Sequence, residues 1–328
     1  MFRKLVVPLD RSPLAEQAVG QAAALARASQ AEIDLVLVHQ PLPFAGFNDE
    51  PWNAEQLSDE EKYLQWIAGE LASGASLKTT HAVVRGEAVD SICRRAWDVD
   101  ADLIVMTSHG RTGLSRAWLG SVADGVLRHS AIPVLMLRPV ETKTDRLAAH
   151  RLFKHVLVPL DGSALAGDIL SSASALARSS GARVTLLRII PPVPLLMVDV
   201  DMAFAYPPFV QDDAATAQLV EEAKQQLDET ARRLADETGV AVDTHVVIAG
   251  HVAQAIMDFA SGHAVDVIAM STHGRGASRF LLGSIADKVL RGSGLPMLVQ
   301  RPIGVTGVID APKTAGAEAT PAPDPAHA

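Results

Sequence analysis

The stretch "ADLIVMTSHGRTGLSRAWLGSVADGVLRHSAIPVLMLRP", residues 101–139, lays four pieces in a row: an apolar run, a loop rich in glycine, serine and arginine, a helical pattern, and a second apolar run. "ADLIVMTS" and "IPVLMLRP" are dense in Val, Ile, Leu and Met, the composition of parallel strands covered on both faces. Strand, helix, strand in that order is the building unit of an α/β domain. The loop then stands where the carboxyl end of a strand hands over to a helix, which is where ligands of open α/β sheets bind.

Outward from this stretch the alternation continues. "LVVPLD" (5–10), "EIDLVLVHQ" (32–40) and "TTHAVV" (79–84) are further short apolar runs, and Ala15, Ala18, Ala22 and Leu25 recur at helical spacing between the first two. Five strands alternating with four helices predict an open, doubly wound, Rossmann-like α/β sheet.

The chain also repeats itself. "KLVVPLDRS" at 4–12 returns as "HVLVPLDGS" 151 residues later, "ADLIVMTSHGR" at 101–111 as "VDVIAMSTHGR" 164 later, and "LGSVADGVLR" at 119–128 as "LGSIADKVLR" 163 later. The growing offset means one domain present twice, with about a dozen extra residues inside the second copy, and the period is far too long for a solenoid. The expected organisation is a domain over 1–140, a linker over 141–150, a second domain over 151–302 and an Ala/Pro-rich tail over 303–328, which has too little apolar surface to order itself. "IPVLMLRP" and "LPMLVQRP" are the strands expected to pair the copies into an intrachain pseudo-dimer, hiding two exposed edges. A further homodimer is left open.

Composition narrows the partners. A net charge of -9 with no long Lys/Arg run argues against nucleic acid. The one cysteine, Cys93, allows no internal disulfide and argues against a structural zinc site, so the expected compartment is the reducing cytoplasm. The N-terminus lacks a signal-peptide core, and the most apolar segment, Pro191 to Val210, is broken by Asp199, Asp201 and prolines, so no membrane span is expected. Two segments, Pro41 to about Leu64 and Pro191 to about Ala217, read as irregular. Trp52, Phe204, Tyr206 and Phe209 could make them either plain caps on their own domains or a lid or partner surface.

Candidate chemistry gathers at the strand ends. These are Leu9 and Asp10 after the first strand, Gln40 after the second and Thr107 after the fourth, followed by Gly110, Arg111, Gly113 and Arg116 in the loop and Gly120, Ser121 and Val122 at the next helix start. Glycine lets backbone N–H groups approach an anion, arginine adds charge, and a helix N-terminus adds a partial positive charge. Ser121 with Asp124, and Ser284 with Asp287, also fit an S-x-x-D capping pattern, so capping and phosphate binding both stand on these residues alone. The block is no Walker A loop, having no G-K-[ST], and no G-x-G-x-x-G follows either first strand. No nucleophile and base stand in a recognisable arrangement, and His109 and His273 read as hydrogen-bonding their own loops. Asp10 and Asp161 suit Mg²⁺ or ribose as well as a plain turn; His81 and His245 read as strand residues before metal ligands.

"VVPLDRS", the block from Met106 to Ser130 and "IPVLMLRP" together resemble the universal stress protein family, from first strand to last in both copies. That resemblance implies ATP binding, with Mg²⁺ left open, through a G-x-x-G-(x)9-G-[ST] block. The block falls on Thr107, Gly110, Gly120 and Ser121, and in the second copy on Ser271, Gly274, Gly283 and Ser284, with Arg275, Gly276, Arg279 and Ile285 beside them. Adenine contacts implied by the family fall on Leu9, Asp10 and Gln40, and on Leu160, Asp161 and Ile189. Thr107 and Ser271 replace the first glycine, and the second spacer, "RGASRFLL", has eight residues where "RTGLSRAWL" has nine. Unequal sites are therefore expected. The function implied is a nucleotide-dependent stress-response regulator with no assigned catalytic residue and at most slow ATP hydrolysis. The alternatives are a protein-interaction module whose glycine blocks are turns, and an ATP-consuming transferase for which no base or lysine can be named.

Overall fold

The computed structural model describes residues 1–40, 50–108, 119–138, 151–194, 212–272 and 283–302. The linker 141–150 and the tail 303–328 lie outside the described residues.

In the first half the elements run β1 (Lys4–Leu9), α1 (Pro13–Ser29), β2 (Glu32–His39), α2 (Glu50–Ala75), β3 (Thr79–Arg85), α3 (Ala88–Asp98), β4 (Leu103–Thr107), α4 (Ser121–His129) and β5 (Val134–Leu137). The second half repeats them as β6 (His155–Pro159), α5 (Ala164–Gly167), α6 (Ile169–Ser180), β7 (Arg183–Ile190), α7 (Asp213–Thr238), β8 (Val242–Ile248), α8 (Val252–Gly262), β9 (Val267–Ser271), α9 (Ser284–Gly292) and β10 (Met297–Gln300). All ten expected strands are present. The alanine-lined face of α1 is buried as its spacing requires: Ala18, Ala22 and Leu25 have no exposed surface.

Each half is a parallel sheet, ordered β3-β2-β1-β4-β5 and β8-β7-β6-β9-β10. The order reverses between β1 and β4, and between β6 and β9, which opens a crevice at their carboxyl ends. The halves fuse into one ten-stranded sheet because β5 and β10 pair antiparallel, Val134 facing Val299 and Met136 facing Met297. The intrachain pseudo-dimer expected from the last strands is therefore present. Alternate strand residues point to opposite faces, and each face carries one apolar cluster that draws on both halves. One contains Leu5, Val7, Leu135, Val156 and Leu298; the other contains Val6, Ile104, Met136, Leu157 and Val299.

The two segments read as irregular need correction. The first yields to helix at Glu50, so most of the stretch to Leu64 is α2, and Trp52 falls in its first turn. Pro51 misled because a first-turn N–H has no intrahelical partner to lose, and Leu64, Ile67 and Leu71 supply a buried stripe at i, i+3 and i+7. The second yields to helix at Asp213, where the Asp212 carboxylate caps α7 by accepting from the Ala215 N–H at 2.9 Å. Phe204, Tyr206 and Phe209 lie outside the described residues.

Candidate functional site

The turn after each first strand is built by an aspartate. Asp10 Oδ1 accepts from the Ser12 N–H at 2.9 Å, and Ser12 Oγ accepts from the Ala15 N–H at 3.1 Å, capping α1. Asp161 Oδ1 accepts from the Ser163 N–H at 2.9 Å and hydroxyl at 2.6 Å, and Ser163 caps α5 through Ala166. Between aspartate and cap the backbone takes a left-handed residue: Arg11 at φ 66° in the first half, Gly162 at φ 79° in the second. Glycine adopts this conformation without strain, and a Cβ at 162 would displace the Arg188 guanidinium.

The S-x-x-D pattern is not a cap. Gly120 and Gly283 are the N-cap residues, and Ser121 and Ser284 are the first residues of α4 and α9. The reason lies in the loop base. Gly120 N–H donates to Ser108 O at 2.8 Å, holding Gly120 extended at φ -66° and ψ 151° and delaying the helix by one residue. Asp124 is drawn instead to Arg128, in two hydrogen bonds of 2.7 and 2.9 Å. With glycine as N-cap, no cap side chain covers the first turn, which faces a cavity. The second copy repeats the base, Gly283 N–H donating to Thr272 O at 2.6 Å, even though its loop is one residue shorter. Residues 273–282 lie outside the described residues.

The cavities lie at the two switch points. In the first half, Leu9, Asp10, Gln40, Thr107, Gly120, Ser121 and Val122 come together around about 300 Å³. In the second, Leu160, Asp161, Ile189, Ser271, Gly283, Ser284 and Ile285 surround about 500 Å³. Both volumes fall in the range of small-molecule sites, roughly 300–1,000 Å³. Gly110, Arg111, Gly113 and Arg116, with Gly274, Arg275, Gly276 and Arg279, lie outside the described residues, as do His109 and His273.

Sequence reasoning missed the apolar floor. Val36, Ile92 and Met106 line the first cavity, and Leu187, Ile256 and Met270 line the second. Ile92 and Met106 recur 164 residues on, the same offset that exposed the duplication, so the signal was there to read. Arg188 was also missed. It lines the second cavity and donates to Leu160 O at 3.3 Å, whereas the equivalent residue in the first half is the buried Leu37. The strand register corrects one pairing as well. Pro8 faces Val36 and Pro159 faces Leu187, so Ile189 matches Val38, and Gln40 matches Pro191.

His81 and His245 sit on the edge strands β3 and β8. His245 lies with Phe259 and His263 in a ring cluster, with centroids 5.1 and 5.7 Å away. Among the described residues no group of three or more His, Cys, Asp or Glu could hold a metal ion, and no helix is long and apolar enough to cross a membrane.

Comparison with known proteins agrees with this architecture. The model of the Universal stress protein family matches residues 1–138 and again 152–301. A universal stress protein of Methanocaldococcus jannaschii is 31% identical over 141 residues, 42% of this chain and 83% of that protein. The crystal structure of a universal stress protein from Archaeoglobus fulgidus covers 91% of this chain and 98% of its own, with a TM-score of 0.65 at 20% identity, a likeness of fold alone. A universal stress protein crystallised in complex with cAMP is 26% identical over 42% of this chain and 99% of its own, with a TM-score of 0.35. With both halves matched along nearly their whole length, the chain belongs to the universal stress protein family, in a tandem form.

Proposed function

We propose that each half binds ATP at its switch-point cavity, and that the protein works as a nucleotide-dependent regulator in the cytoplasm. One observation carries the reading: at both switch points a helix of nine residues begins at a glycine N-cap and turns its first residues into an apolar-floored cavity. The floor suits a planar base, and the helix start suits phosphate, since its N–H groups and partial positive charge favour an anion. Asp10 and Asp161 each line their cavity with a carboxylate, the kind of oxygen ligand that Mg²⁺ carried in on phosphates takes from a protein. Magnesium would supply charge neutralisation of the phosphates. The chain's own residues bind and orient the nucleotide, and none is assigned a catalytic step.

The test is calorimetric titration of the full chain with MgATP, and with cAMP as the second ligand. Gly120→Glu places a carboxylate where phosphate would sit and should remove the tighter of two binding events; Gly283→Glu should remove the weaker. Equal losses would contradict unequal sites. No heat at millimolar nucleotide, with no adenine nucleotide co-purifying, would overturn the reading in favour of an interaction module.

A further inference from the structure

Each of the helices that open the two cavities is held at its other end by the opposite half. Arg301, which follows β10, donates from Nη1 to Arg128 O near the end of α4 at 2.9 Å. Arg138, which follows β5, donates from Nη2 to Leu290 O at 3.3 Å and to Arg291 O at 3.2 Å near the end of α9. The two are equivalents: Arg301 lies 163 residues after Arg138, and Arg291 lies 163 after Arg128. The last carbonyls of a helix have no partner within it, and a cation there complements the helix dipole. Beyond the basic residues in their own last turns, α4 receives a cation from the second half and α9 one from the first.

The route continues to the far cavity through one further hydrogen bond on each side. Gln300 O, next to Arg301, accepts from the Thr272 N–H at 2.8 Å at the second cavity, and Leu137 O, next to Arg138, accepts from the Ser108 N–H at 2.9 Å at the first. Arg301 is 8% exposed and so has little room to take another position.

We propose that Arg301 and Arg138 are crossed positioning residues. Arg301 of the second half fixes the helix that presents Gly120 to the first cavity, and Arg138 of the first half fixes the helix that presents Gly283 to the second. The nucleotide part of this inference rests on the ATP reading above. A ligand that seats on one helix start thereby acts on a helix anchored in the half that holds the other site.

The test uses full-length chains with one site closed at a time. In the Gly283→Glu background, where the first site remains, R301Q is expected to weaken MgATP binding about threefold to tenfold. In the Gly120→Glu background, R301Q should leave the second site within about twofold, and R138Q should give the mirror result. R301K, which keeps the charge, should restore most of the affinity. Amide exchange read without nucleotide supplies an independent arm: R301Q should speed exchange in α4 and spare α9, and R138Q the reverse. Equal loss at both sites, or loss at the same-half site, overturns the proposal. So does unchanged affinity with unchanged exchange. If the parent chain takes up no ATP, the ATP reading falls, and the exchange arm alone decides whether the anchoring is crossed.

Discussion

His155 stands where the first half has Lys4, and its environment has changed to match. The ring is 3% exposed, with Nε2 2.7 Å from Thr185 Oγ1 and Nδ1 3.0 Å from His263 O. Burial pushes its pKa below the usual histidine value and Arg183 adds to this, while the His263 carbonyl, Asp266 and Asp243 oppose it. A lowered folded pKa means that the unfolded chain takes up the proton first, so stability is present in full above about pH 6.5 and declines as pH falls below that value. The unfolding free energy from urea titrations at about pH 7.5 to 5 should fall, by at most about 1.4 kcal/mol per pH unit from this one group. His155→Gln should flatten that part of the profile; an unchanged slope would put its origin elsewhere. At this scale the sequence was legible where residues recur at fixed offsets, as Asp10 with Asp161 and Gly120 with Gly283. It was misleading where a three-dimensional tie competes with a local pattern. Ser121 satisfies the capping spacing, yet the Gly120 to Ser108 hydrogen bond decides where the helix starts, and no one-dimensional reading contains it.

α3 is fastened to the sheet by charge, and the equivalent positions around α8, its counterpart, carry none. Asp34 on β2 has no exposed surface and accepts from Arg95 at 2.8 and 2.7 Å and from the Thr80 hydroxyl at 2.6 Å. In the second half the equivalent positions are Thr185 and Phe259, and Phe259 stacks on His263 at 3.8 Å. Removing one partner of a buried pair leaves the other uncompensated. Arg95→Ala should therefore destabilise by about 2–3 kcal/mol, discounted from the fully buried case because the Arg95 side chain is 26% exposed. The double variant D34L/R95L should lose less than R95A alone, since it strands no charge; chemical denaturation distinguishes the two. The strands that these helices cover were legible because parallel strands buried on both faces are written as short runs dense in Val, Ile and Leu, even where Asp34 or Thr185 interrupts them. The start of α2 was not, because a proline in a first turn and a proline in a loop look alike in sequence. The division of the second half's first helix into α5 and α6 at Asp168 was not read either, although Gly167, a weak helix former, stands at the break.

Seen whole, the sheet runs from one half into the other without a break. Both apolar clusters take residues from both halves, and α1 packs against α6 across the junction. Heating should therefore give one calorimetric transition with the van't Hoff enthalpy matching the calorimetric value. Leu298→Asp, placing a charge at a position with no exposed surface in β10 opposite Leu135, should split or abolish it. Two resolved transitions in the parent chain would show the halves to be thermally independent. The antiparallel pairing of β5 with β10 has a last consequence. Because both strands belong to one polypeptide, each finds its mate at an effective concentration set by the tether, and dilution cannot part them. The stoichiometry of one smaller cavity to one larger cavity is therefore fixed at synthesis.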